Sequence, residues 1–161
     1  MFRKMRRFRQ ELPREETLSV LQNGSYGVLA VAGDDGYPYA VPLNYVYTDG
    51  QIYIHCARSG HKLDALAKSD KASFCVVEKS DVLPEKLATL YRSVIVFGRA
   101  RLVTDDDEKR RGALALAEKY APGLPPERRE AEVDREWNAL AVIALTPEHM
   151  TGKQAAGLVN T

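Results

Sequence analysis

The chain has 161 residues, enough for one domain around a single core and too few for two ordinary ones. Hydrophobic residues make up 45% and charged residues 28%, a globular rather than a disordered composition. Lys and Arg number 23 against 22 Asp and Glu, so a net charge of +1 gives no field of one sign to draw in nucleic acid or membrane.

No apolar run approaches the roughly 18 residues of a spanning helix. The first ten residues carry Arg3, Lys4, Arg6, Arg7 and Arg9 and read as a flexible basic arm without the apolar stretch of a signal peptide. Residues 11–150 then form the single expected domain, and residues 151–161 a tail. Pro13-Arg14-Glu15-Glu16 opens a helix, with proline in the first turn and acids at the positive end, and Asn23-Gly24 stops it. Residues 26–32 are an apolar run of strand length, followed by turn residues Gly33 to Gly36. Residues 38–47 alternate, with Tyr39, Val41, Leu43, Tyr45 and Tyr47 on one face. Asp49-Gly50 signals a hairpin into the strand at 51–56.

Ser59-Gly60-His61-Lys62 opens a short helix that buries Leu63 and Leu66. A strand is expected at 71–78, a loop with a helical turn at 79–92, and a long strand at 93–104. Asp105 to Asp107 begin a helix that ends near Tyr120, prolines punctuate, and another short helix runs to about Trp137. A last strand at 139–146 precedes a poorly patterned stretch. The fold class is mainly β: about six antiparallel strands closing into a β-barrel with flanking helices, which removes sheet edges.

Four features could carry chemistry. Ser59, Gly60, His61 and Lys62 stand where a strand gives way to a helix, and free N–H groups there with two added cationic donors suit a phosphate. A capped, solvated helix start is the alternative. Pro38 and Pro42 remove ladder donors from one strand, which implies an edge strand or a backbone left free for a planar heterocycle. Tyr45, Tyr47, Tyr53, Tyr91 and Trp137 could wall a ring, or serve as core with polar tips. His55 and Cys56 sit in an apolar strand, as a hydrogen-bonded core histidine and an inert thiol. Cys56 and Cys75 are expected as buried free thiols, which suits a reducing cytoplasm, and their spacing offers no metal site. No Ser–His–Asp order, Walker loop or GxGxxG is present.

The order of Ser-Tyr-Gly-Val-Leu-Ala, Asp-Gly-Tyr-Pro-Tyr-Ala-Val-Pro-Leu-Asn-Tyr-Val-Tyr, and Ile-Tyr-Ile-His-Cys-Ala-Arg-Ser-Gly-His-Lys-Leu resembles the pyridoxamine 5′-phosphate oxidase-like FMN-binding split barrels. Within them the chain is most similar to the 5-nitroimidazole antibiotic resistance branch. Lys-Ala-Ser-Phe-Cys-Val-Val and Tyr-Arg-Ser-Val-Ile-Val-Phe-Gly-Arg-Ala extend the likeness, which runs from about Arg6 to Lys153. The resemblance implies a six-stranded antiparallel split barrel, a homodimer, and two FMN at the subunit interface. It implies that Ser59, His61 and Lys62 hold the FMN phosphate. Val41, Pro42, Leu43 and Asn44 would meet the flavin edge, and His55, Cys56 and Ala57 would line the ring and ribityl chain. Tyr91, Arg92 and Ser93 would approach from the other subunit, and Trp137 would close the site. His61 is the candidate proton donor. The implied activity is an FMN-dependent reduction of a small substrate, such as a 5-nitroimidazole, with NADH or NADPH as donor. A non-catalytic flavin storage or sensing protein is the alternative, and a haem-binding barrel using His55, His61 or His149 is a further one. No arginine follows Arg135, which disfavours the arginine-rich substrate site of vitamin B6 oxidation.

Overall fold

A computed structural model describes residues 1–159; residues 160 and 161, the end of the expected tail, lie outside the described residues. The elements run α1 (Arg14–Asn23), β1 (Gly27–Ala32), β2 (Pro38–Leu43), β3 (Val46–Thr48), β4 (Gln51–Ala57), α2 (His61–Lys68), β5 (Lys71–Leu83), β6 (Ala88–Leu102), α3 (Asp106–Tyr120), α4 (Pro126–Glu136) and β7 (Leu140–Gln154). All strand pairs are antiparallel, in the order β2-β1-β5-β6-β7-β4-β3.

The ends of that order explain the shape. β2 and β3 are the two edges of the hydrogen-bonded sheet, yet only Asn44 and Tyr45 separate them in the chain. Three Cα steps span at most about 11 Å, so the edges must come together and the sheet must roll. No ladder joins β2 to β3 or β4. The result is a barrel with a split.

Three expectations are corrected. The sheet has seven described strands rather than six, because the run at 38–47 breaks at Asn44–Tyr45 and its two pieces join opposite edges. Residues 79–92 are not a loop: β5 and β6 continue their pairing out to Leu83 and Ala88, around a 3-10 turn at Pro84–Lys86. The last strand does not stop at 146 but pairs with β6 as far as Gln154. Alternation hid both extensions, since beyond Val77 and Thr146 half-buried and exposed side chains follow one another without a regular apolar period. The face assigned to the 38–47 run holds: Tyr39, Val41 and Leu43 pack on the core and Tyr45 is fully buried.

Phe74, Leu29, Ile54, Val94, Val96 and Ile143 fill the barrel, with Tyr45 edge-on to Phe74 at 4.9 Å between centroids. A second cluster, around Tyr53, Val133 and Val142, lies under α3 and α4. α3 begins as predicted, with the Asp105 carboxylate accepting from the Glu108 amide at 2.7 Å. The outer face of β5 and β6 leaves Val77, Ile95 and Phe97 more than 40% exposed. In the N-terminal segment, Phe2 stacks on Phe97 and His149, and residues 8–10 form a 3-10 turn that buries Gln10.

Candidate functional site

The split has two lips. β2 pairs only with β1, so its other edge is free. The Gly33 amide donates to the Tyr37 carbonyl at 2.9 Å, which sets the alternation of the ladder. Tyr39, Val41 and Leu43 then turn their backbone groups to β1. Pro38, Ala40 and Pro42 turn theirs outward, so the two prolines cost the sheet no ladder bond. What faces the split is the Ala40 N–H with the carbonyls of Pro38, Ala40 and Pro42. β4 forms the other lip. It pairs with β3 only from Gln51 to Tyr53, leaving the same edge of Ile54–Ala57 free, with His55 and Ala57 exposed and Cys56 half-buried.

α2 stands at the end of that lip. Gly60 adopts φ +130° and ψ 169°, a region that only glycine occupies at low cost. Its carbonyl accepts from the Leu63 and Asp64 amides at 2.9 and 3.2 Å. Gly60 rather than Ser59 is therefore the N-cap, and Ser59 makes no capping bond. The His61 and Lys62 amides have no acceptor among the described residues. Such a pair of unpaired donors at a helix start, beside the Lys62 ammonium, is suited to an anion.

α2 meets the β2 lip through His61. The His61 ring lies 4.1 Å from the Tyr39 ring of β2, and its Nε2 is 3.5 Å from the Asp34 carboxylate. Asp34 also accepts from Lys68 at 2.9 Å. Lys68 first, and His61 second, hold Asp34 below the usual carboxylate range, so its charge is largely answered before any anion arrives. Burial pushes the Cys56 thiol up against the opposing charge of Lys62, and burial also raises Cys75; both are free thiols.

The split thus brings together the expected segments Val41–Asn44, His55–Ala57 and Ser59–Lys62. It does not bring in Tyr91, Arg92 or Ser93. These lie on β6, three strands across the sheet from β2, which is roughly 14 Å at about 4.8 Å per strand. On the β4 side, Ser93 pairs with Lys153 of β7, well along that strand from the Val142 that faces His55. Arg92 is engaged within the protomer by Glu16 at 2.8 Å and Glu78 at 3.7 Å. Trp137 follows α4, with the Lys109 ammonium 4.0 Å from its ring centre and Arg110 at 5.5 Å. It packs against the second core cluster.

Two parts of the site were not anticipated from the sequence. The first is a clamp on the Asn44–Tyr45 crossing. The Tyr120 hydroxyl accepts from the Tyr45 amide at 3.0 Å and donates to the Ser25 carbonyl at 2.7 Å, to which Asn44 Nδ2 also donates. Lys119 Nζ donates to the Gly24 carbonyl at 2.8 Å and sits 3.8 Å from the Tyr45 ring centre. Burial pulls Lys119 down to about 8 from its ordinary 10.5. Between those values the unfolded chain binds the proton and the folded chain does not, so this lysine makes stability rise with pH. Urea midpoints at pH 8 and pH 10 should rise more for the native chain than for Lys119→Met. An identical pH response in both would remove the assignment.

The second is a cavity of about 300 Å³ between α3, α4 and the crossing, reached by Asn44 and His55. Its sequence signal was faint: the Leu114-Ala115-Leu116-Ala117 run gives α3 apolar residues on more than one face.

A protein-family model described as pyridoxamine 5′-phosphate oxidase matches residues 13–154. No curated protein sequence matches the chain. Solved structures do. A conserved hypothetical protein of Mycobacterium tuberculosis, Rv2991, superposes with a TM-score of 0.79 at 20% identity, over 94% of this chain and 90% of the other. A FAD- and haem-binding protein of Mycobacterium smegmatis gives 0.75 at 24%, over 92% and 74%. A Bacteroides thetaiotaomicron protein, provisionally described as a 5-nitroimidazole antibiotic resistance protein, gives 0.72 at 17%, over 89% and 86%. At these identities the likeness is one of fold.

Proposed function

This chain belongs to the pyridoxamine 5′-phosphate oxidase family, and we propose that within it the protein is an FMN-dependent reductase of a small organic substrate. The observation that carries the reading is the juxtaposition across the split. Unpaired α2 amides with Lys62 lie at one end, and outward backbone groups of β2 line the facing lip. A phosphate fits the first and a polar heterocycle edge fits the second. One phosphate-sized donor cluster favours the mononucleotide, although the Mycobacterium smegmatis relative is named for FAD.

In this reading Lys62, the two amides and the His61 side chain hold the phosphate, with Ser59 beside them. Ala40 and Pro42 offer their backbone groups to the ring, while Val41 and Leu43 keep that strand on the core. Asn44 ends the lip, and His55, Cys56 and Ala57 line the opposite wall. Bound there, a flavin supplies hydride or electron transfer. The chain orients it and limits water; His61, the candidate proton donor, stands at the phosphate end, so the part assigned to it is the phosphate contact. NADH or NADPH is the proposed reductant, and a nitroaromatic such as a 5-nitroimidazole the proposed substrate.

The proposed assembly is a homodimer. Val77, Ile95 and Phe97 give β5 and β6 an exposed apolar face. Tyr91, Arg92 and Ser93 stand too far from their own groove and would serve a second one. Trp137 is kept in the proposal as a wall beside the site rather than a lid, since Lys109 already covers its ring.

Purified protein reconstituted with FMN should sediment as a dimer, show flavin bands, bleach anaerobically with NADH or NADPH, and recover when a nitroimidazole is added. Bands that never bleach with either nucleotide would replace the reductase with a flavin carrier. No bands at all would overturn the cofactor.

A further inference from the structure

The cavity between α3 and α4 adjoins the ring end of the split and not its phosphate end. Asn44, at the crossing, and His55, on the β4 lip, belong to both. Leu116 and Ala117 of α3, Val133 of α4 and Leu140 of β7 make its walls apolar. Its volume, about 300 Å³, is at the small limit of ligand pockets. Water occupies roughly 30 Å³ per molecule in the liquid, so the space suits one or two rings and little more.

Charge narrows the occupant further. Glu132 and Glu136 lie one helical turn apart on α4 and both line the cavity. Arg135 pairs with each of them, so two carboxylates share one guanidinium and one negative charge is left over. No Lys or Arg lines the cavity among the described residues. Lys119, on the same helix as Tyr120, directs its ammonium to Gly24 and the Tyr45 ring. The polar handles are the His55 imidazole, which makes no hydrogen bond among the described residues, and the Asn44 side-chain oxygen, whose amide nitrogen is spent on Ser25.

We infer that this cavity is the substrate subsite, that it takes a small neutral or cationic heteroaromatic of one or two rings, and that it rejects phosphate esters. The inference rests on the reading of the split as a flavin groove. A neutral ring buries its faces on the apolar walls and meets His55 or Asn44 at its edge. A phosphate monoester carries up to two negative charges into a cavity whose lining holds no Lys or Arg, past two exposed carboxylates that share Arg135.

The test uses a matched pair, pyridoxine and pyridoxine 5′-phosphate, with 2-methyl-5-nitroimidazole as a second neutral ring. Each is titrated calorimetrically into the FMN-loaded dimer, and the flavin spectrum is followed in parallel. The neutral rings should bind at least tenfold more tightly than the ester and perturb the flavin bands. Ala117→Phe fills the cavity and should weaken both neutral rings at least tenfold while flavin content stays the same. Glu136→Lys, at an exposed position, should narrow the gap between pyridoxine and its phosphate. Equal or tighter binding of the ester, no binding of either ring, or neutral-ring binding untouched by Ala117→Phe would each overturn the inference. Should Ala117→Phe fail to fold, the Glu136→Lys result decides alone, an unchanged gap overturning it. Failure to load FMN is a separate result that counts against the flavin reading; calorimetry on the flavin-free protein then still tests the cavity.

Discussion

The double variant His61→Ala/Lys62→Ala should lose FMN. Both side chains belong to the first turn of α2, where the amides of the same two residues lack acceptors. A hydrogen bond to a charged group contributes about 1.5–3 kcal/mol, and the exposure of this helix start puts each contact at the low end. Two contacts at about 1.5 kcal/mol correspond to roughly a hundredfold loss of affinity. Fluorescence titration with FMN reads it directly, and circular dichroism checks that the barrel persists. The amides survive the substitution, so weak residual binding is expected rather than none. FMN affinity equal to that of the native chain would mean that the phosphate lies elsewhere, and the whole placement of the flavin along the split would go with it.

The largest expected loss of stability is at Gly98. β6 and β7 shift register between Phe97 and Gly98, and Pro147 stands opposite the glycine. A Cβ at this position would meet the Thr146 carbonyl oxygen at 2.2 Å and Leu145 Cδ2 at 3.1 Å. The oxygen is backbone and cannot rotate away, unlike the tip of a long side chain. Gly98→Ala should therefore cost about 3 kcal/mol, the upper part of the overpacking range. In a chain of this size that lowers the melting temperature by roughly 6–12 °C. A change below about 0.5 kcal/mol, the scale of an ordinary surface substitution, would show that β7 can move aside and that the bulge is loose. The effect should be confined to stability, because Gly98 lies outside both lips of the split.

How much of the site was legible follows from the range of each signal. The α2 start was readable, since strand period, a glycine, a histidine and a lysine occur within a dozen positions. Which residue caps was not: Ser59 has the better capping chemistry, but the φ +130° turn belongs to Gly60 and puts the serine one place too early. The prolines of β2 announced an edge strand, and the edge is there. That both point away from β1 depends on the register with Gly27–Ala32, which no local pattern fixes. The extensions of β5, β6 and β7 were missed because their half-buried and exposed side chains carry no apolar alternation. Pairing with a neighbouring strand holds them instead.

By itself the sequence determined what is periodic or local: the mainly β class, the buried face of residues 38–47, the acidic start of α3, and a helix start within Ser59–Lys62. The tertiary structure decided where the sheet opens. Asn44 and Tyr45 carry the chain from one sheet edge to the other, and only the positions of those edges make that crossing the apex of a split. It also decided the Tyr120 clamp, the isolation of Tyr91–Ser93 from the groove of their own protomer, and the cavity of α3 and α4. The physical reason is the same in each case. Alternation states which face of an element is buried, but not which distant element will cover it. A groove or a cavity is the space left between elements that meet only after folding.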